Sequence, residues 1–342
     1  MPGTKPPLTW EAALALRHAP VLLQKVHSRY SRADYITRVD FAGGWDGVCR
    51  NWDAVWDKRG GGYRYNPAAH GYYSVVETHT HYYLLYAFYH PQDWSAFWGS
   101  PARSDPSEAN QHVHDMEGCL AVVPKRGGGE GETVEALVTV SHRHFLSYAG
   151  REQDGRTPTG SLRVTGWEED VDGPIEVTSR FSGRGEPAGR LKLYADSGGH
   201  AIRATKRGWG SESNIIRYRP TLGRAESPKE SAFEKETDAK FQTVRYQLVS
   251  IFERDGLWAQ RENPSVFRPD EAGRQAFVEM SDEGGLTAGA ANPPWGWDDA
   301  DDGYKFGDFA WDPARLADGY FAGMGEFSRQ YLHNPYIGLI RG

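Results

Sequence analysis

The sequence predicts a mainly β protein, with a β-sandwich or jelly-roll-like core, a short N-terminal helix and a C-terminal helix. Aromatic residues make up 13% of the 342 residues, and 40 residues are glycine. This composition favours strands joined by many turns over long helices. Several short apolar segments bounded by turn residues indicate the same class.

Both helices have capping signals in the sequence. Thr9 is suited to cap a helix over Trp10 to Arg17, because its side-chain oxygen can accept from an N–H of the first turn. Asp312 precedes Pro313, a favoured first helical residue, and Asn334-Pro335 lies near the expected end of that helix. We find no linker and expect a single elaborated domain: an N-terminal helical segment (about 1–40), a β core (41–260) and C-terminal loops and helix (261–342).

Three long strand-like segments come first, over residues 73–90, 111–123 and 133–145. Each carries a His-x-His pair. If the strands are neighbours, their imidazoles are expected to converge on one patch, because residues two apart share a strand face. The pairs are His79 with His81, His112 with His114, and His142 with His144.

Further strands are expected at 161–169, 175–182, 189–196 and 244–252, where apolar residues alternate between turn signals. The segment 219–240 is polar and charged, so we expect a surface loop there.

The chemistry is concentrated in residues 111–123, which hold His112, His114, Asp115 and Glu117 ahead of an apolar run. So many metal-binding side chains are costly to bury unless something charged binds there. Strict alternation would put the two histidines on the face opposite the two carboxylates. All four would bind one ion only with an irregular backbone at the strand start; otherwise a subset shares the site.

The segment His112-Val-His-Asp-Met-Glu117 resembles the His-Arg-His-Asp-Trp-Glu signature of necrosis- and ethylene-inducing-like proteins, and a related signature of vacuolar-sorting-type proteins. The resemblance covers residues 72–123 and extends to Gly199-His200-Ala201, which is similar to a Gly-Ser-His-Ala element of the vacuolar-sorting relatives. Gln111 stands in place of the leading Gly and Met116 in place of the Trp.

This resemblance implies a β-sandwich that holds a divalent cation beside a lipid-glycan head-group site. Matched residue by residue, Asp115 and Glu117 correspond to the acidic ligands and His112 to the first histidine. An upstream aspartate ligand is expected near Asp105.

Two functions follow as hypotheses. The first is a divalent-metal-dependent enzyme, a hydrolase, whose ion polarises a substrate oxygen or lowers the pKa of bound water. A mixed nitrogen and oxygen ligand set suits Zn, Mn or Fe, and a carboxylate-dominated set suits Mg or Ca. The predicted metal ligands are His112, Asp115, Glu117, His79, His81 and Asp105, and the predicted catalytic residues are Glu117, His114 and His200.

The alternative is a non-enzymatic protein in which the ion bridges to a small molecule, a glycan or a lipid head group. A third hypothesis, a purely structural histidine network, predicts protein without stoichiometric metal. More histidines facing the ion favour the enzyme, since carboxylates and water suffice for a bridging Mg or Ca.

Composition disfavours several other classes. A net charge of −7 and a pI near 6.0 give no reason to expect nucleic-acid binding. The sequence lacks a G-x-S-x-G elbow, an H-E-x-x-H helix, a phosphate-binding loop and a dinucleotide fingerprint.

The two cysteines, Cys49 and Cys119, allow one disulfide bridge at most, and the sequence leaves open whether they pair. Without an unbroken apolar N-terminal or membrane-spanning run, we expect a cytoplasmic protein, with secretion by another route left open.

Overall fold

The computed structural model describes residues 8–26, 31–39, 41, 68–93, 112–125, 133–151, 171–179, 189–206, 214–229, 240–280, 285–289, 291–300 and 307–341. Within these ranges the chain is mainly β, with an N-terminal and a C-terminal helix, so the predicted class is confirmed. The predicted strand at 161–169 lies outside the described residues, as do Asp105 and Cys49.

The helices are α1 (Trp10–His18), α2 (Asp308–Trp311) and α3 (Pro313–Phe321). The strands are β1 (Val21–Lys25), β2 (His70–Thr78), β3 (His81–Asp93), β4 (His112–Pro124), β5 (Ala136–Ser141), β6 (His144–Arg151), β7 (Gly173–Ile175), β8 (Lys192–Ala195), β9 (Ile202–Arg203), β10 (Asn214–Thr221), β11 (Lys240–Ser250), β12 (Phe267–Pro269), β13 (Gln275–Met280), β14 (Leu286–Ala288) and β15 (Tyr331–His333).

Among the described residues, one large mixed sheet runs in the order β7-β6-β5-β4-β3-β2-β11-β10-β1-β8-β9, with β15 added beside β2. The sheet curls on itself. Its last strand returns across β5, where the Thr139 hydroxyl donates to the Ile202 carbonyl at 2.7 Å. The sheet is therefore a half-barrel whose two halves face each other across its concave side.

Two hydrophobic cores lie on the two faces of this sheet. The inner core fills the space between the halves and contains Tyr86, Phe88 and Tyr246, all fully buried. The outer core lies under the small sheet β12-β13-β14 and the C-terminal helices, and contains residues such as Phe277 and Tyr320. Because side chains alternate along β3 and β4, each strand contributes to both cores.

Two of the predicted long strands are hairpins. The segment 73–90 reverses at His79-Thr80, where the Thr78 hydroxyl accepts from the N–H of His81 at 3.1 Å. The segment 133–145 reverses at His142-Arg143, and His142 has a φ of 61°. Because a two-residue turn barely interrupts the apolar–polar alternation, the sequence pattern predicts one continuous strand where the structure has two.

The predicted caps are present at both helices. Thr9 accepts from the N–H of Ala12 at 3.2 Å, and Asp312 accepts from the N–H of Arg315 at 3.3 Å. The C-terminal helix α3 ends at Phe321, earlier than expected. A single 3-10 turn follows and stops at Gly325, whose φ of 135° favours glycine.

The predicted loop 219–240 begins later than expected, since β10 continues to Thr221. Residues 222–229 have no regular structure, and 230–239 lie outside the described residues. No helix in the described part of the chain has the length and apolar character needed to cross a bilayer.

Gly118 on β4 allows the C-terminal segment to pack closely on this strand. The indole of Trp297 lies against this glycine and donates to the Met116 carbonyl at 3.1 Å. A Cβ on Gly118 would lie 2.2 Å from the Tyr86 carbonyl oxygen and 2.5 Å from the Trp297 ring. The backbone oxygen cannot move without breaking the β3–β4 ladder, so only glycine fits.

Gly118→Ala is expected to destabilise the fold by about 1–3 kcal/mol or more, the range seen for overpacking. The matched control is Gly173→Ala on β7, where a Cβ would have only ordinary contacts at 3.7 and 3.9 Å. Urea unfolding measures both variants. Equal free energies of unfolding for the two variants would contradict the close approach of Trp297 to β4.

Candidate functional site

The pairing of β3 with β4 decides which predicted residues meet. This antiparallel ladder puts His90 opposite Asp115 and Asp93 opposite His112, while His81 pairs with Pro124 at the other end. Strand β3 has 13 residues, so its ends are roughly 40 Å apart at about 3.3 Å per residue. His81 therefore lies far from the carboxylates of the motif.

The three His-x-His pairs do not converge in the described structure. His79 is exposed in the β2–β3 turn. His81 lies 2.8 Å from Glu135 through Nε2 and stacks on Phe327. His144 is exposed at the start of β6. In both of these pairs a hairpin turn separates the two histidines, so they do not share a strand face. Of these four histidines only His142 lies close to the motif.

The motif itself is divided between the two faces of the sheet. Asp115 and Glu117 alternate with Cys119 and the inner core, whereas His114 falls on the face of Met116 and the outer core. The φ of 64° at His114 is the irregular backbone that the sequence allowed for, yet it does not bring all four side chains together. A subset shares the site.

On the outer face, His114 lies between aromatic rings. Its Nδ1 is 2.6 Å from the Tyr89 hydroxyl, and its ring stacks on Phe277. Burial, with a smaller effect from nearby His112, lowers the pKa of His114 to about 3. This histidine is therefore neutral at physiological pH and is not directed at the carboxylates.

His112 begins β4 beside Asp93. Its Nε2 is 3.5 Å from the Asp93 Oδ2, and its Nδ1 lies 2.9 Å from the His114 carbonyl. Sequence reasoning did not single out Asp93. Asp93 lies at the end of β3, opposite His112, and this position follows only from the register of the β3–β4 pair.

On the inner face, His200 bridges two carboxylates. Its Nδ1 is 2.7 Å from Asp115 Oδ2 and its Nε2 is 3.1 Å from Asp34 Oδ1, with His200 completely buried. Burial alone would lower the pKa of His200, but the hydrogen bonds and charges of the two carboxylates outweigh it and raise the pKa to about 10. His200 is thus an imidazolium that donates from both nitrogens.

The same contact acts on Asp115 in the opposite direction. Burial raises the pKa of Asp115, but the hydrogen bond and positive charge of His200 outweigh that effect and lower the pKa to about 2. Asp115 is therefore an ionised, buried carboxylate at physiological pH. We call Asp34, His200 and Asp115 the carboxylate–imidazolium bridge.

His90 stacks on this bridge. Its ring is parallel to that of His200, with centroids 3.8 Å apart and planes 2° apart. Burial, and then the positive charge of His200, hold the pKa of His90 well below its ordinary value. Within the described residues, His90, Asp115 and His200 each bring a possible ligand atom to within 4.8 Å of the others.

Glu117 lies two positions from Asp115 on the same face. Its Oε1 accepts from the N–H of His142 at 2.9 Å. Its Oε2 is buried and has no hydrogen-bond partner among the described residues. Burial, together with the negative charge of Asp115, raises the pKa of Glu117 well above its ordinary value.

The inner-face residues are suited to bind a cation through carboxylate oxygens. His200 is not suited to be a ligand, because both its nitrogens donate to carboxylates and neither keeps a lone pair for an ion. Asp115 and Glu117 are two carboxylates of this face that can offer oxygen ligands to an ion.

No protein-family model and no curated protein matches the sequence. The chain is similar to solved structures of necrosis and ethylene-inducing-type proteins. Necrosis and Ethylene inducing Protein 2, from the causal agent of cocoa's witches' broom disease, shares 16% identity over 77% of this chain and 84% of that chain, at a TM-score of 0.35. NLPPya in complex with glucosamine shares 18% identity over 59% of this chain and 69% of that chain, at a TM-score of 0.29.

The non-toxic HaNLP3 protein is a third such structure, with 16% identity over 58% of this chain and 81% of that chain, at a TM-score of 0.25. At TM-scores this low, these similarities leave the function to be argued from the site itself.

The carboxylate–imidazolium bridge predicts a pH dependence of stability. A raised pKa means that the stabilisation from His200 is complete below the unfolded value of about 6.5 and is lost as the pH rises towards 10. Asp115 contributes above about pH 4 and loses its contribution as the pH falls towards 2. The difference in unfolding free energy between wild type and His200→Gln should therefore be smaller at pH 9 than at pH 6.

Urea unfolding in EDTA at both pH values measures this difference. His81→Gln is the matched control, since it removes another carboxylate-paired histidine at the far end of β3. If His200→Gln lowers the free energy of unfolding by the same amount at pH 6 and at pH 9, His200 is not an imidazolium in the bridge.

Proposed function

We propose that this protein binds a divalent cation through Asp115 and Glu117, and that the cation holds a hydroxyl-bearing small molecule, a glycan or a lipid head group. The observation that carries the proposal is the buried Oε2 of Glu117, which has no hydrogen-bond partner among the described residues. A buried carboxylate oxygen without a partner is costly, and a bound cation removes that cost.

The two carboxylates fit a cation for different reasons. Asp115 is already ionised and is held in position by His200, so it offers a fixed negative charge. Glu117 is fixed through one oxygen by the N–H of His142, and its other oxygen is available to the ion. A divalent cation held by such oxygens supplies further coordination positions for ligand hydroxyl groups.

Binding is favoured over hydrolysis because the other two predicted catalytic residues are poorly placed to move a proton. His200 is completely buried, with both ring nitrogens bonded to carboxylates. His114 lies on the opposite face of the sheet, between Tyr89 and Phe277. A general base needs a free lone pair within reach of the proton it accepts, and neither histidine offers one to the inner face.

The sequence motif supports the class of ligand. The segment from His112 to Glu117 resembles the signature of a family in which a divalent cation lies beside a lipid-glycan head group. Asp115 and Glu117 are the positions matched to the acidic ligands of that family, and they are the carboxylates that share the inner face here.

Glu117→Gln is expected to reduce the affinity for a divalent cation by at least about tenfold, since even outer partners of metal ligands have effects of that size. Isothermal titration with Mg²⁺, Mn²⁺ and Zn²⁺ measures the affinity of each. Glu135→Gln is the control, because Glu135 is a carboxylate paired with a histidine at the other end of β3. Because the pKa of Glu117 is raised, cation binding to the wild type should release a proton, and the affinity for the cation should rise with pH. Titration in buffers of different ionisation enthalpy measures the number of protons released.

A cation-free wild type that binds none of these ions would contradict the proposal. Equal affinities in wild type and Glu117→Gln would exclude Glu117 as a ligand.

Ligand binding is expected to depend on the cation. Glucosamine and mannosamine are suitable probes, since each carries several hydroxyl groups. Titration of the cation-loaded protein should show binding that EDTA abolishes and that Glu117→Gln weakens in proportion to its loss of cation. Sugar binding that is unchanged by EDTA would show that the cation does not bridge protein and ligand.

A further inference from the structure

Gln24 determines the protonation of His90. The amide nitrogen of Gln24 donates to the carbonyl oxygens of Asp196 at 2.7 Å and Lys25 at 3.0 Å. These two bonds fix which end of the amide is nitrogen, so the Gln24 Oε1 must be the atom that faces His90 Nε2 at 3.3 Å. An amide oxygen only accepts, and His90 therefore carries its proton on Nε2.

This assignment leaves the Nδ1 of His90 as a nitrogen lone pair. Nδ1 is buried and has no hydrogen-bond partner among the described residues. A neutral imidazole nitrogen with its other nitrogen held by a hydrogen bond is the usual form of a metal-binding histidine.

His90 lies beside Asp115, one of the two proposed cation ligands. His90 is directly opposite Asp115 in the β3–β4 ladder, and Phe88 is opposite Glu117, so His90 and Glu117 are diagonal neighbours on the inner face. In an antiparallel pair, opposite Cβ atoms are about 5 Å apart and diagonal neighbours about 7–8 Å. Ligand atoms of His90, Asp115 and His200 lie within 4.8 Å of one another, so Asp115 is the carboxylate that the structure places beside His90.

We propose that His90 is a nitrogen ligand, through Nδ1, of the cation bound at Asp115, and that the site therefore takes a borderline transition-metal ion such as Zn²⁺, Fe²⁺ or Co²⁺ in preference to Mg²⁺ or Ca²⁺. This inference rests on the proposed function. Imidazole selects such ions, whereas a site of carboxylates and water alone suits Mg²⁺ and Ca²⁺. Stacking on His200 and the bond to Gln24 hold the ring in place.

His90→Phe tests the nitrogen ligand while keeping a flat ring against His200. Its affinity for Co²⁺ should fall by at least about tenfold, and its affinity for Mg²⁺ should stay within about threefold of wild type. The visible absorption of bound Co²⁺ should also change, because it reports the ligand set. His81→Phe, which removes a histidine at the other end of β3, should leave both affinities and the spectrum unchanged.

The tautomer is measured separately in the cation-free wild type by ¹⁵N NMR of the histidine side chains. The expected result is a neutral His90 protonated at Nε2. A proton on Nδ1 would overturn the inference, and this measurement applies even where His90→Phe does not fold.

The outcomes separate the two proposals. A wild type that binds neither Mg²⁺ nor Co²⁺ overturns the proposed function and the inference with it. A wild type that binds both ions, with Co²⁺ affinity unchanged in His90→Phe, overturns the inference and leaves the proposed function standing.

Discussion

The interaction on which the candidate site depends is the buried bridge Asp34–His200–Asp115. It joins three segments far apart in the sequence: the turn after β1, the turn between β8 and β9, and strand β4. Asp34 also accepts from the N–H of Gly198 at 2.8 Å, which fixes the turn that presents His200. Removing one partner of a buried charged pair leaves an uncompensated charge, so each member depends on the others. The bridge thereby ties one half of the curled sheet to the other.

The bridge also sets the chemistry of its neighbours. Burial, and then its imidazolium, lower the pKa of His90, while burial, and then its ionised Asp115, raise the pKa of Glu117. The result is an inner face with one ionised carboxylate, one carboxyl group whose pKa is raised, and one neutral imidazole. Glu117 and His90 each have a buried polar atom without a hydrogen-bond partner among the described residues, and the proposed cation site rests on these atoms.

The histidine pairs show why the site could be found only in part from sequence. Spacing of two residues suggested a shared strand face, yet His79/His81 and His142/His144 straddle two-residue turns, where spacing does not report the face. The pair His112/His114 does lie on a strand, but His114 packs against Tyr89 and Phe277 on the face opposite Asp115 and Glu117. Local patterns give the period of a strand, and they do not show where the chain reverses within a run of alternating residues.

The sequence by itself determined the mainly β class, the caps at Thr9 and Asp312, and the concentration of ligand-type residues at 112–117, because these follow from local propensity, hydrogen bonding and side-chain chemistry. Only the tertiary structure decided the partners of that motif. His90 and Asp93 meet it through strand register, and Asp34 and His200 through the curl of the sheet. Register and curl are set by packing between segments distant in the chain, so no stretch of sequence read alone contains them.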